Sequence, residues 1–444
     1  MKIRIHRPTV KLRINRQSDF PLLGICLVML LIYLSPFTAS LSSYAAFVLC
    51  LIRVVRYDAR VFAVDYCLML PMAQIFCTTG GMSFFVYVSL FAAVWYFIKT
   101  GIRRNASYLM LILLMNYLLT RMQMSITNFL LCFGQICVLC IVLPEQDRDS
   151  AIRAAKYFCI GVLISSLYAL VFRNTWQLRS LLGAEDEAIW GTGIRRFYGF
   201  YRDPNYYMTL LVLGLALLSK LKNCRQITGP AFLLMCLGMV LFGILTYSKM
   251  FFLTTVLFGV VYIIWRFRDR KYFWGILLII LAAIGARILF SLKIGILETL
   301  FARLFSASNV SELTTGRTDV YVRYLSEITQ SVFTLLFGLG LSAEGLYKDA
   351  HNLYLEVTYY LGITGLVLLA GLSISMIRVM GRKAASLPAQ NAIAKYLPLF
   401  LLFVLYCSLH GMFQIMFYGG LFVALLAMLV TREEQPVMEG SDCD

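Results

Sequence analysis

Charge is what this chain has least of. Of its 444 residues only 14% are Asp, Glu, Lys or Arg, while 60% are hydrophobic. A soluble domain carries about 25% charged and about 45–50% apolar residues. One water-soluble core of this length could not hide so much apolar surface, so the deficit excludes a soluble enzyme and a disordered chain. Cysteine is present, twelve times, but mostly inside apolar runs. That excludes a secreted scaffold stapled by disulfides. Cys132, Cys137 and Cys140 imitate a ferredoxin spacing. On a helix those offsets spread over more than about 100° of the circumference, so they read as structural cysteines. A Walker loop, a dinucleotide-binding glycine fingerprint and a His/Cys/carboxylate set with metal-ligand spacing are all missing from the sequence. So are internal repeats and low-complexity tracts.

What is there is a series of long apolar runs separated by basic clusters. A spanning helix needs about 20 mainly apolar residues. Such segments lie near 20–36, 38–53, 61–77, 82–98, 106–120, 125–143, 157–172, 204–219, 227–247, 250–266, 272–290, 351–376, 396–410 and 414–431. The expected fold is an all-α polytopic membrane protein with fourteen transmembrane helices, or twelve to fourteen if some segments do not cross. The net charge of +17 is read as basic cytoplasmic loops, not as a nucleic-acid surface. The clusters at Lys2–Arg16, Arg53–Arg60, Lys99–Arg104, Arg148–Lys156, Lys220–Arg225, Arg266–Lys271, Arg378–Lys395 and Arg432 all fall on inner loops of the fourteen-segment count. Both termini, 1–19 and 432–444, are then cytoplasmic, and 20–431 is one membrane domain. The uncharged run from 20 to 52 is too long for one ordinary span, and Ser35-Pro36 offers a break. One span there, or a cleaved signal peptide, are the alternatives.

Two sizeable loops remain outside, at about 173–203 and 291–350. Long ordered loops commonly carry function. The first ends Arg195-Arg196-Phe-Tyr-Gly199-Phe-Tyr201-Arg202-Asp203-Pro204-Asn205. Proline suits a first helical turn and Asp203 suits the N-cap before it. An arginine-rich strip at a helix N-terminus suits phosphate; lipid-headgroup snorkelling is the plainer alternative. The second loop holds Gly316-Arg317-Thr-Asp319 before a helical pattern over Val320–Phe333, and ends at His351-Asn352. His351 is one of three histidines, beside His6 and His410. It opens a helix right after the longest outer loop, where a proton acceptor is the sharp reading and a structural histidine the plain one. Asn352 and Glu356, at i and i+4, share a helix face. Lys249, in Tyr247-Ser248-Lys249, marks an outer turn that faces the same cavity or merely snorkels. Asp65 is an acid inside the third segment, with no partner visible in sequence.

Three of these pieces together resemble the O-antigen ligase and Wzy-type polysaccharide polymerase superfamily. They are Arg196-Phe-Tyr-Gly199 leading to Pro204-Asn205; Gly316-Arg317 followed by Asp319 and Tyr321; and His351-Asn352-Leu-Tyr-Leu355 leading to Gly362-Ile-Thr-Gly365-Leu366. The family often has tryptophan near the position of Tyr321. The resemblance covers about 190–370, and the N-terminal half contributes topology only.

The resemblance implies a glycosyltransferase whose donor is a glycan on undecaprenyl pyrophosphate, with no metal and no cofactor. It places the active site on the outer face of the bacterial cytoplasmic membrane. Arg196 and Arg317 stabilise the pyrophosphate leaving group and His351 accepts the proton of the attacking hydroxyl. Arg195, Tyr201, Arg202, Asn205, Lys249, Asn352 and Glu356 are the expected substrate-binding residues. The implied partners are the lipid-linked glycan, membrane lipid, a chain-length regulator and a flippase, and no nucleic acid. A repeat-unit polymerase is the first expectation. A ligase to lipid A core or protein is the alternative within the family, and a lipid-linked oligosaccharide flippase is the rival class. Charges gathered at one face argue for chemistry there over alternating access.

Overall fold

The computed structural model describes residues 36–76, 83–101, 106–121, 126–172, 196–201, 203–266, 317–340, 350–386 and 415–431. Helices fill them, and no strand occurs among the described residues. In chain order they are α1 (Pro36–Arg56), α2 (Ala59–Met69), α3 (Phe84–Thr100), α4 (Ala106–Arg121), α5 (Ile126–Ile141), α6 (Arg148–Phe172), α7 (Pro204–Asn223), α8 (Gly229–Leu245), α9 (Lys249–Arg266), α10 (Arg317–Ile328), α11 (Val332–Phe337), α12 (Leu353–Ala385) and α13 (Ile415–Leu426). Two of them, α6 and α12, are long and apolar enough to cross a membrane; six further apolar stretches are shorter. The expected segments at 20–36, 272–290 and 396–410 lie outside the described residues, as do His6 and His410.

Local chemistry sets the helix starts. Asp58 caps α2 by accepting from the N–H groups of Arg60 and Val61. Ser83 caps α3, and Asp203 caps α7 with Pro204 in the first turn. Each cap satisfies an N–H that the helix itself leaves unmet. The core between these helices is aromatic. Tyr66 lies 4.9 Å from Phe422 and 5.0 Å from Phe85, ring to ring, and donates its hydroxyl to Gln135 Oε1 at 2.6 Å. At Gly161 a Cβ would overlap the Leu68 carbonyl, so α2 and α6 approach more closely than any side chain would permit.

Among the described residues, members of five basic clusters meet at one end of this bundle. Lys99 reaches the Val55 carbonyl at 3.4 Å. Arg60 pairs with Asp147 at 2.7 Å and with the Glu145 carbonyl at 3.3 Å. Lys383 donates to the carbonyls of Pro144 and, at 3.0 Å, Gln146. Arg148 binds the Thr431 carbonyl at 3.2 Å, and Lys220 binds that of Ala427. Helix C-termini expose unmet carbonyls and the negative pole of the helix, which is where cations belong. Burial pushes the Asp147 carboxyl up, but the Ser150 N–H and hydroxyl and Arg60 outweigh it and hold it below its ordinary range. The opposite ends of α6, α7 and α12 therefore point the other way, towards the ends of the two loops singled out in the sequence.

Three features depart from the sequence reading. Asp65 has a partner: Arg53 donates to its two carboxylate oxygens at 2.6 and 2.7 Å, with both residues buried. The second-loop pattern over Val320–Phe333 is two helices, because Ser331 caps a new start by accepting from Thr334 N–H. The expected segment 351–376 is interrupted. Gly362, at φ 66° and ψ −173°, breaks α12 into a short first part and a longer second part.

Candidate functional site

The first loop's strip, 196–201, runs along the C-terminus of α8. Phe197 N–H donates to the Leu245 carbonyl at 2.9 Å and Arg196 Nε to the Thr246 carbonyl at 3.0 Å. These bonds answer carbonyls that the helix end leaves unmet. Phe197 is buried between Tyr207, edge-on at 5.3 Å, and Phe242, stacked at 5.6 Å. Gly199 takes φ 58°, and a Cβ there would sit 2.6 Å from the Tyr207 ring. The strip is therefore fixed at both the backbone and the aromatic level, and the Arg196 guanidinium is oriented by Thr246.

Asn205 is the second residue of α7. Its Oδ1 accepts from the Ser248 hydroxyl at 3.3 Å, and Ser248 immediately precedes Lys249, the first residue of α9. The N-termini of α7 and α9 thus lie side by side, with Arg196 tied to Thr246 just before them. Arg196, Asn205, Ser248 and Lys249 form one cluster. Two positive helix ends and two cations suit an anion. Ser248 was not among the residues singled out from sequence. Its signal was a serine directly before a helical run, the position that favours N-caps.

The second loop carries the other residues singled out in the sequence. Arg317 opens α10, half-buried. Val320, Tyr324 and Ile328, spaced by four, bury one stripe of α10 against Ala350 and Tyr359; the Tyr324 and Tyr359 rings are 4.9 Å apart. The break at Gly362 removes the intrahelical donors for the carbonyls just before it. Leu339 N–H takes the Tyr359 carbonyl at 2.9 Å, and Gly340 N–H takes that of Tyr360 at 3.0 Å. The Tyr117 hydroxyl of α4 donates to Leu361 at 2.7 Å and reaches Phe337 O at 3.2 Å. The glycine break is thus the socket into which the second loop docks.

His351 sits on this platform. It follows buried Ala350 and takes φ 48°, a left-handed conformation uncommon for a side chain larger than glycine. Such conformations cost on the order of 1–3 kcal/mol and persist where the surroundings over-determine them, often at functional sites. Here Ala350 holds one side and Asn352 the other. Asn352 is the N-cap of α12, accepting from Tyr354 N–H at 3.1 Å and Leu355 N–H at 3.3 Å.

The expected substrate-binding residues divide accordingly. Arg196 and Asn205 bond to Thr246 and Ser248, the residues just before Lys249. Asn352 has a capping role, which orients the residue before it. Glu356 is buried, and its N–H bonds the Asn352 carbonyl at 3.1 Å. Tyr201 is 1% exposed and donates to the Leu70 carbonyl at 2.6 Å, so its ring packs inside the bundle rather than standing ready to stack on a sugar. Burial raises its phenol well above the ordinary range, which keeps it a donor. Arg195, Arg202 and Gly316 lie outside the described residues. No group of three His, Cys, Asp or Glu side chains converges among the described residues.

The chain matches no family model, and no curated protein is detectably similar to it. The described residues are all helical, and two of their helices are long and apolar enough to cross a membrane.

Proposed function

We propose that the chain is a multi-spanning glycosyltransferase of the bacterial cytoplasmic membrane. It joins undecaprenyl-pyrophosphate-linked oligosaccharide repeat units into a polysaccharide on the outer face. One observation carries this reading: the cationic loops gather at one end of the bundle, and the Arg196 and His351 groups stand at the other. That segregation suits a protein whose basic side faces the cytoplasm and whose chemistry faces out. Exposed rows such as Leu233, Leu234, Leu237 and Leu241 on α8 support a lipid surrounding, since soluble monomers rarely present large contiguous apolar patches to water.

The roles follow from the residue types. The acceptor hydroxyl attacks the anomeric carbon of the donor glycan, and the bond from that carbon to the pyrophosphate oxygen breaks. Neutral His351 takes the hydroxyl proton. Charge grows on the departing lipid pyrophosphate, and Arg196 and Arg317 stabilise it. Arginine stays ionised beside lipid and can bind phosphate through two parallel bonds. Arg196 is further oriented by the Thr246 carbonyl, so little reorganisation remains to be done at the moment of reaction.

The test is substitution. Arg196→Ala, Arg317→Ala and His351→Ala are each expected to lower transfer by about 100-fold or more while the protein still inserts. Wild-type activity in all three would overturn the assignment. Product analysis with lipid A core as acceptor separates polymerase from ligase.

A further inference from the structure

Helices α10 and α11 present a surface that the reaction does not use. Most residues of α10 fall into three stripes. Val320, Tyr324 and Ile328 are buried against α12. Asp319, Arg323 and Glu327, again spaced by four, make a second, charged stripe. Thr318, Val322 and Leu325, at i, i+4 and i+7, make a third that is uncharged and exposed. Spacings of three and four keep each set on its own face. On α11, Val332 is 73% exposed and Phe333 62%, with Leu336 also exposed. A helix in water would mix its charges over the whole outer side. Here Asp319, Arg323 and Glu327 lie together on one part of it, apart from Arg317 at the helix start.

We propose that the uncharged stripe of α10 and the outward face of α11 rest in the outer interface of the lipid bilayer. Continuity names the occupant. Tyr117 ties α11 to α4 and to the break in α12 through Phe337 and Leu361. Just past the break, Ile363 and Val367 face outward. The apolar side of α11 therefore extends the row on α12 that the proposed function turns towards lipid. Amphipathic helices with a segregated apolar face lie in that plane, with their charged side in the headgroups. The second loop would then be held level with the membrane surface, where a lipid-linked glycan presents its pyrophosphate. The inference rests on the membrane reading, and the test separates the two.

The experiment uses the full chain reconstituted in vesicles of phosphatidylcholine with brominated acyl chains. Single tryptophans are added at Phe333, Leu325, Val367 and Glu327, and the quenching each adds over the native fluorescence is measured. Phe333→Trp and Leu325→Trp should be quenched by the bromolipid, as Val367→Trp is. Glu327→Trp should respond to aqueous acrylamide instead. Quenching at Val367→Trp but not at Phe333→Trp or Leu325→Trp would overturn the inference and leave the membrane reading standing. Shielding of Phe333→Trp from both quenchers would overturn it in favour of a protein partner on this face. No bromolipid quenching at Val367→Trp would overturn the membrane reading and the inference with it.

Discussion

Gly338 and Gly362 face each other across a contact that admits no side chain. A Cβ on Gly338 would overlap the backbone of Tyr360 and Leu361, and one on Gly362 would overlap that of Leu336 and Phe337. Both residues take positive φ, 73° and 66°. The pair joins the second loop to the break in α12 and so sets the height of Arg317 and His351 above the bundle.

Replacing either glycine by alanine should cost about 2–5 kcal/mol. The backbone, at positive φ with ψ near 180° where essentially only glycine is found, contributes about 1–2 kcal/mol and the overlap about 1–3 kcal/mol. Limited proteolysis should then cut between α11 and α12 sooner than in the parent protein, and transfer should fall with the active site untouched. Unchanged cleavage in Gly362→Ala would show that the socket is not needed for docking.

The Arg53–Asp65 pair predicts a different pattern. Removing one partner leaves a buried charge and costs about 3–5 kcal/mol. The double substitution Arg53→Met with Asp65→Leu replaces both groups by apolar ones and should recover most of that loss. Unfolding in detergent measures all three variants. A double variant no better than the worse single would mean that the pair does more than hold α1 to α2.

At the Arg196 cluster, Arg196→Ala should lower kcat by about 10²–10³-fold, the usual effect of losing one charge-stabilising group. Arg196→Lys should not restore it, because an ammonium cannot reproduce the guanidinium fork that bonds Thr246 and a phosphate together. Ser248→Ala should act more mildly, through the position of Asn205. Steady-state kinetics on the three variants gives the order.

Asp147 sets an acid limit. Its folded carboxyl is held below the ordinary range, so its contribution is present at neutral pH. It is lost as pH falls through that range towards the depressed folded value. Asp147→Asn should lower stability at pH 7 and flatten the fall in Tm on acidification, by a small amount because the group is partly exposed. A parallel fall in both proteins would assign the acid limit elsewhere.

Much of this was written into the sequence in local signals. Asp203-Pro204 announced the start of α7, and the clusters around Arg60, Arg148 and Lys383 announced the end of the bundle at which they meet. What periodicity could not reveal was the break at Gly362, because the apolar run continues through it and only the backbone changes course. Nor could it name Arg53 as the partner of Asp65, since that pairing depends on how α1 and α2 pack. Tyr201 shows the same limit from the other side. Its place in an aromatic, arginine-rich loop suggested a substrate-binding residue, and tertiary packing buried it against Leu70. Asn352 looked like a ligand beside His351; a helix start needs such a residue as its cap, and the cap in turn fixes the histidine.

The most direct measurement is an in vitro reaction of the purified protein with an undecaprenyl-pyrophosphate-linked repeat unit, with products separated by length on a gel. The account predicts a ladder of polymers with the parent protein and none with His351→Ala, although that variant inserts and folds. No ladder from the parent protein, or an undiminished ladder from His351→Ala, would contradict it.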